Sequence, residues 1–220
     1  MDGKTIYRDI KPKGKTVYKD HATAIQAYAQ SSATALEHVI QFVIVTARVP
    51  LHRVPADLES ARAGDQSVLF SWKGEAFNYA HLNRDEIYWH CMDILTGDDC
   101  KRDRADNMLS YLADLPGLGL AKGGFVAQLA FGLSGCMDTH NIKRFGLGAR
   151  AVEYAARNRK RKACPKFRRR VVAWYNALVY RQGGTERLWD GWCEYVAREQ
   201  SNIYVDAEHV SRLHCEALSL

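Results

Sequence analysis

The residues whose types and spacing could do chemistry concentrate in positions 115–146, which read LPGLGLAKGGFVAQLAFGLSGCMDTHNIKRFG. The run opens with Leu115, Pro116, Gly117, Leu118 and Gly119, two glycines around one apolar residue behind a proline. Glycine accepts positive φ without steric cost, so such a stretch turns tightly between helices and leaves backbone N–H groups exposed. Exposed amides at a following helix start suit a phosphate. Further on, Asp138 stands where an N-cap or first-turn carboxylate would stand. Asn141 follows three residues later, close to the same helical face, and can hydrogen-bond a substrate group or its own helix turn. His140, Lys143 and Arg144 extend a polar and basic edge from that helix. Lys122 can neutralise a phosphate or hold an anionic group. Local sequence alone equally allows a solvated Lys122 and a purely capping Asp138.

These side chains need helices to position them. Phe125, Val126, Leu129 and Ala130 recur at helical spacing, and Gly132 to Gly135 stops that helix before a second begins near Asp138. Asn107 to Leu115, apolar at Met108, Leu109, Tyr111 and Leu112, reads as the helix entering the hairpin. Elsewhere His21 to Arg48 reads as one or two helices, interrupted by Val49 to Pro55. A short helix over Asp57 to Ala63 precedes a turn at Gly64-Asp65. Ser71 to Leu95 is amphipathic with a break near Asn83, and Thr96 to Arg104 is a polar connection. Ala149 to Ala156, Lys166 to Arg181 with Pro165 in its first turn, Thr185 to Arg198, and Asp206 to Leu218 complete the pattern. The expected fold is all-α. Residues 1–20 read as a lysine-rich arm, extended around Thr16 to Tyr18, and residues 21–220 as one helical domain. Within that domain the hairpin spans 107–131 and the Asp138 helix 138–146. Most of Trp72, Trp89, Trp174, Trp189 and Trp192, with Tyr175, Tyr180 and Tyr195, are expected in the core because they recur at helical spacing.

Of the 220 residues, 47% are hydrophobic and 25% charged, which suits a globular chain able to bury a core. No apolar run approaches the ~20 residues that span a bilayer, and the start has no signal-peptide core. A cytoplasmic, monomeric protein without a membrane partner is expected. The net charge of +6 is uneven: from Arg157 to Arg170 there are nine Lys or Arg and no acid. That block, ending in Arg168, Arg169 and Arg170, is suited to a polyanion; a solvated loop is the alternative. The six cysteines are dispersed and form no CxxC pair, so buried free thiols are expected, with no metal, cluster or cofactor.

The order of hairpin, helix and Asp138-Thr139-His140 resembles the helix-hairpin-helix DNA glycosylase superfamily, the group containing endonuclease III. The resemblance covers Leu115 to Gly146. It implies a two-lobed helical fold with a DNA cleft between the lobes, and double-stranded DNA as partner. Gly117, Leu118, Gly119, Lys122, His140, Lys143, Arg144, Arg168, Arg169 and Arg170 would contact that DNA, and Asp138, Lys122 and Asn141 would form the catalytic set. In the family the matching carboxylate stands beside the sugar of a flipped nucleotide, where it steadies an oxocarbenium-like charge or activates a water. Two departures matter. Bifunctional members carry a nucleophilic lysine two residues after the second hairpin glycine; here that residue is Ala121, and Lys122 follows. One residue turns a helical side chain by roughly 100°, so Lys122 is expected to point away from the nucleophile's place. The family also has an apolar residue where this chain has Asn141.

A monofunctional N-glycosylase is therefore the leading expectation. Phage-encoded relatives associated with thymine hypermodification give the second: transfer of an amino acid or polyamine to the 5-methylene of thymidine, with the glycosidic bond intact. The absent nucleophile, the Gly123-Gly124 pair and Asn141 bring that alternative forward. A DNA-binding module without catalysis is the third.

Overall fold

The computed structural model describes residues 18–69, 71–146 and 164–220. Every α or β element among them is an α-helix: α1 (Tyr18–Ser31), α2 (Ala33–Val45), α3 (Val54–Arg62), α4 (Ser71–Leu82), α5 (Arg84–Thr96), α6 (Lys101–Leu112), α7 (Gly119–Phe131), α8 (Thr139–Arg144), α9 (Pro165–Arg181), α10 (Gly184–Glu199) and α11 (Ala207–Ala217). Short 3-10 turns lie at Leu51–Arg53 and Gln66–Val68. The all-α expectation holds. None of the described helices is long and apolar enough to cross a membrane.

Helix α2 sits at the centre because its sequence is apolar on all sides: from Ala35 to Val45 every residue except His38 is buried. Around it pack α1, α3, α4, α5 and α7. Ser32 separates α1 from α2, its extended backbone placing Oγ 3.1 Å from the Ala35 N–H that it accepts. Helix α7 is buried continuously from Gly123 to Phe131 and leans on α1, α2 and α6. A smaller apolar cluster joins Leu109 of α6 to Met137, to Val172, Tyr175, Leu178 and Val179 of α9, and to Leu188 of α10. That cluster underlies the segment carrying Asp138.

Several boundaries differ from the sequence reading. Tyr18 opens α1 instead of ending an extended strand, while Thr16 and Val17 lie outside the described residues, as do most of the arm, Ala149 to Ala156 and Arg157 to Ala163. Pro55 does not break a helix; it occupies the first turn of α3, where no intrahelical N–H is needed. Helix α6 begins at Lys101, six residues ahead of Asn107, because its first two turns are polar and largely exposed and carry no apolar signal. Three of the five tryptophans stand at the surface, Trp89 at 70% exposure and Trp72 and Trp174 near 40%, while Trp189 is buried. Cys91, Cys193 and Cys215 are buried, but Cys100 and Cys164 are exposed.

Candidate functional site

The turn between α6 and α7 is built by its two glycines. Gly117 has φ +78° and Gly119 φ +60°, both in the left-handed region that a side chain resists. Leu115 and Leu118 point inward and are buried, so Leu118 offers the surface only its backbone. The Leu118 N–H is used within the turn, 3.2 Å from the Leu115 carbonyl. A Cβ on Gly117 would lie 2.6 Å from Ala76 Cβ and 3.0 Å from the Trp72 ring, so α4 braces the turn from behind. Gly123 lets α7 approach the end of α6 closely, since a Cβ there would stand 2.9 Å from the Ala113 nitrogen. The motif is thus a close-packed helix-turn-helix held by glycine at each contact.

Asp138 sits at the end of a segment whose backbone is held by side chains at several points. The Tyr175 hydroxyl, fully buried on α9, donates to the Gly135 carbonyl and accepts the Met137 N–H, both at 2.8 Å. Gln128 accepts the Cys136 N–H at 2.9 Å, and Thr185 donates to the Ser134 carbonyl at 2.9 Å. Gly124 makes room for this run: a Cβ there would fall 2.3 Å from the Gly135 oxygen and 2.9 Å from the Tyr175 hydroxyl. Asp138 then caps α8, its Oδ1 accepting the Asn141 N–H at 2.9 Å. Its Oδ2 makes no hydrogen bond among the described residues, and the side chain is partly exposed.

Lys122 reaches back from α7 to the end of α2, where its Nζ donates to the Val43 carbonyl at 2.9 Å. Lys73, buried on α4, does the same to the Val45 carbonyl at 2.9 Å. Two ammonium groups therefore satisfy the C-terminal carbonyls of the central helix, where a cation also meets the negative end of the helix dipole. Burial pulls the Lys122 ammonium down to about 8, and Lys73 pushes the same way; Cys136 and Asp138 oppose. The Lys122 head group and Asp138 thus share one electrostatic environment. Burial raises the Cys136 and Tyr175 groups well above their ordinary values, so both stay neutral.

Other predicted residues are committed inside the protein. Asn141 is 1% exposed; its Nδ2 donates to the Cys136 carbonyl at 2.6 Å, and its Oδ1 accepts from Arg144 at 3.1 Å. It is a brace for the Asp138 turn. Arg144 also reaches the Leu188 carbonyl at 3.4 Å and fills the space over Gly191, where a Cβ would clash with the guanidinium. Helix α8 carries His140 and Lys143, whose side chains lie outside the described residues. Arg168 pairs with Asp114 beside the turn, while Arg169 and Arg170 are exposed on the first turns of α9. A small cavity of about 50 Å³ touches Asp114, Gly119 and Leu120 on one side and Phe167 and Arg168 on the other, so the turn and the start of α9 are neighbours. Tyr175 and Trp72 enter the sequence reading only as aromatic members of helical stripes, and Lys73 does not enter it. Comparison with protein-family models, curated proteins and solved structures finds no match for this chain.

Proposed function

We propose that this chain is a DNA-base-processing enzyme of the helix-hairpin-helix glycosylase kind, most simply a monofunctional N-glycosylase. The observation carrying the reading is the combination of a left-handed Gly117–Gly119 turn with a partly exposed, rigidly held Asp138. The side chain of Lys122, from the helix that the turn starts, lies within Asp138's field. In this reading duplex DNA lies across a cleft between two lobes, its phosphates over the turn and over Arg169 and Arg170. The target nucleotide swings out toward Asp138. Water attacks C1′ of the sugar as the C1′–N bond breaks. The departing base takes the bonding electrons and is protonated from solvent, while Asp138 steadies the positive sugar, accepts the proton of the attacking water and returns it to solvent afterwards. Lys122 supplies positive charge that offsets the repulsion between Asp138 and nearby phosphates.

The transferase alternative loses two of its three supports. Gly123 and Gly124 are explained by the close approach of Ala113 and Gly135, and Asn141 by its bonds to Cys136 and Arg144. Mass spectrometry of free bases and nucleosides, after incubation with duplexes carrying damaged, 5-hydroxymethyl or pyrophosphorylated pyrimidines in the presence of free amino acids and polyamines, tests the assignment. A released base is the expected product. A retained nucleoside carrying an amino acid or polyamine on its 5-methylene, in place of the hydroxyl or pyrophosphate lost, would replace the glycosylase by the transferase.

A further inference from the structure

Helix α9 buries one side against α6 and α10 through Val172, Tyr175, Asn176, Leu178 and Val179. Lys166, Arg169, Arg170, Trp174, Tyr180 and Arg181, on the rest of its surface, are all exposed. The sequence of the helix, PKFRRRVVAWYNALVYR, contains no acid. Helix stability does not call for that composition, because the N-terminal turn carries partial positive charge and favours acids, yet it holds Lys166 and Arg168.

At about 100° per residue, Arg170, Trp174, Ala177 and Arg181 share an outer stripe about 60° wide. Along the axis Arg170 lies about 6 Å before Trp174, and Arg181 about 10 Å after it. Trp174 and Tyr180 keep 40% and 39% of their surface exposed, and Ala173 and Ala177 beside the indole add no bulk over it. At the far end the basic surface passes to the start of α6. Burial and Asp106 push the Tyr180 hydroxyl up while the exposed Arg102 pulls it down, so that guanidinium and the Tyr180 ring are neighbours. Asp106 itself accepts the Asn176 Nδ2 at 2.7 Å. At the near end Arg168 meets Asp114 beside the Gly117–Gly119 turn. Helix α9 is therefore a basic track about 25 Å long, leading away from that turn and bearing two open aromatic rings. Cations alone would hold any polyanion. An open indole between two arginines also asks for a flat apolar face, which paired and stacked bases do not offer and unpaired bases do.

We propose that the outer face of α9 binds an unpaired DNA strand, its bases stacking on Trp174 and Tyr180 and its phosphates lying on Arg170, Arg181 and Arg102. The choice of DNA rests on the reading above, since the track starts at the turn assigned to duplex phosphates; the stacking face does not depend on Asp138. Anisotropy titration of the full chain with oligothymidylate, an abasic oligonucleotide of the same length and a blunt duplex tests it. Oligothymidylate should bind at least about tenfold tighter than the abasic strand, since stacking contributes about that factor per base. Trp174→Ala should weaken oligothymidylate binding by about tenfold, with affinity for the abasic strand and the duplex kept within about twofold, and Trp174→Phe should recover most of the loss. Arg181→Gln should reduce the slope of log oligothymidylate affinity against log salt by roughly 0.7. No binding of oligothymidylate, or equal affinity for the abasic strand, overturns the proposal. So does oligothymidylate binding unmoved by Trp174→Ala, a loss in that variant that the duplex shares, or a Trp174→Phe protein as weak as Trp174→Ala. Failure here leaves base release at Asp138 untouched, and a chain that releases no base can still hold oligothymidylate through Trp174.

Discussion

Replacing Tyr175 by Phe removes one oxygen and no carbon, yet that oxygen is the clamp on the segment leading to Asp138. Its two bonds, to the Gly135 carbonyl and the Met137 N–H, are both 2.8 Å and buried. Leaving a buried donor or acceptor unsatisfied costs about 1–3 kcal/mol each, so the variant should lose roughly 3 kcal/mol. The vacated space is too small for a water, so solvent will not repair the loss. For a chain of this size a loss of about 3 kcal/mol lowers the melting temperature by roughly 6–12 °C. Tyr180→Phe on the same helix is the control, because that ring is partly exposed at 39% and should shift stability by less than about 0.5 kcal/mol. Thermal melts followed by circular dichroism provide the first readout and base release at a temperature where both variants are folded the second. Release should fall in Tyr175→Phe more than the folded fraction does, since Asp138 is no longer held. A melting temperature within about 1 °C of the parent would refute the claim that this hydroxyl organises the segment.

Other consequences are quicker to state. The joint substitution Arg169→Ala and Arg170→Ala should weaken binding to any duplex and reduce the slope of log affinity against log salt by roughly 2, measured by anisotropy titration; an unchanged slope would make the start of α9 a bystander. His214 is fully buried among Phe42, Phe125, Trp189 and Trp192, and burial pulls its imidazole down to about 4. The folded state therefore favours the neutral ring. Stability should be constant with pH above about 6.5, then decline toward pH 4 by about 3 kcal/mol. Denaturant melts of His214→Phe should lack that decline, and an identical slope would exclude His214 as its source. Borohydride reduction during turnover should trap no covalent DNA adduct, because Ala121 holds the place of the family's nucleophile; trapping abolished by Lys122→Ala would show lyase chemistry at Lys122 instead.

Much of the helical order is visible in the chain because local chemistry writes it. Asn83 marks a break, Gly132 ends α7, and Gly183-Gly184 separates α9 from α10, whereas the division at Ser32 is left open by a pattern that reads as one helix or two. The turn at Gly117 and Gly119 and the cap at Asp138 follow from residue types whose conformational preferences are strong. What stayed hidden depends on partners distant in sequence. Tyr175 reads as one more apolar position on α9, and nothing near it says that its hydroxyl meets Gly135 and Met137. Lys122 reads as a lysine facing a phosphate or solvent and Lys73 carries no signal of its own, whereas each crosses to a carbonyl at the end of α2. Arg144 belongs to a basic edge by sequence, but the bare Cα of Gly191 lets its guanidinium turn inward. The six-residue error at the start of α6 has a simpler cause: an exposed polar helix carries no hydrophobic period.

The most direct test of the central claim is single-turnover base release by Asp138→Asn on whichever modified duplex the parent protein cleaves, with duplex affinity measured alongside. Asparagine keeps the size and can still accept the Asn141 N–H at the head of α8, so the fold should lose no more than about 1 kcal/mol. If Asp138 steadies the sugar and takes the proton, release should fall by about a hundredfold or more. Binding should stay equal or tighten, because a carboxylate near phosphates repels them. Release within about threefold of the parent, in a protein equally stable and equally bound, would contradict the account and leave Asp138 a helix cap alone.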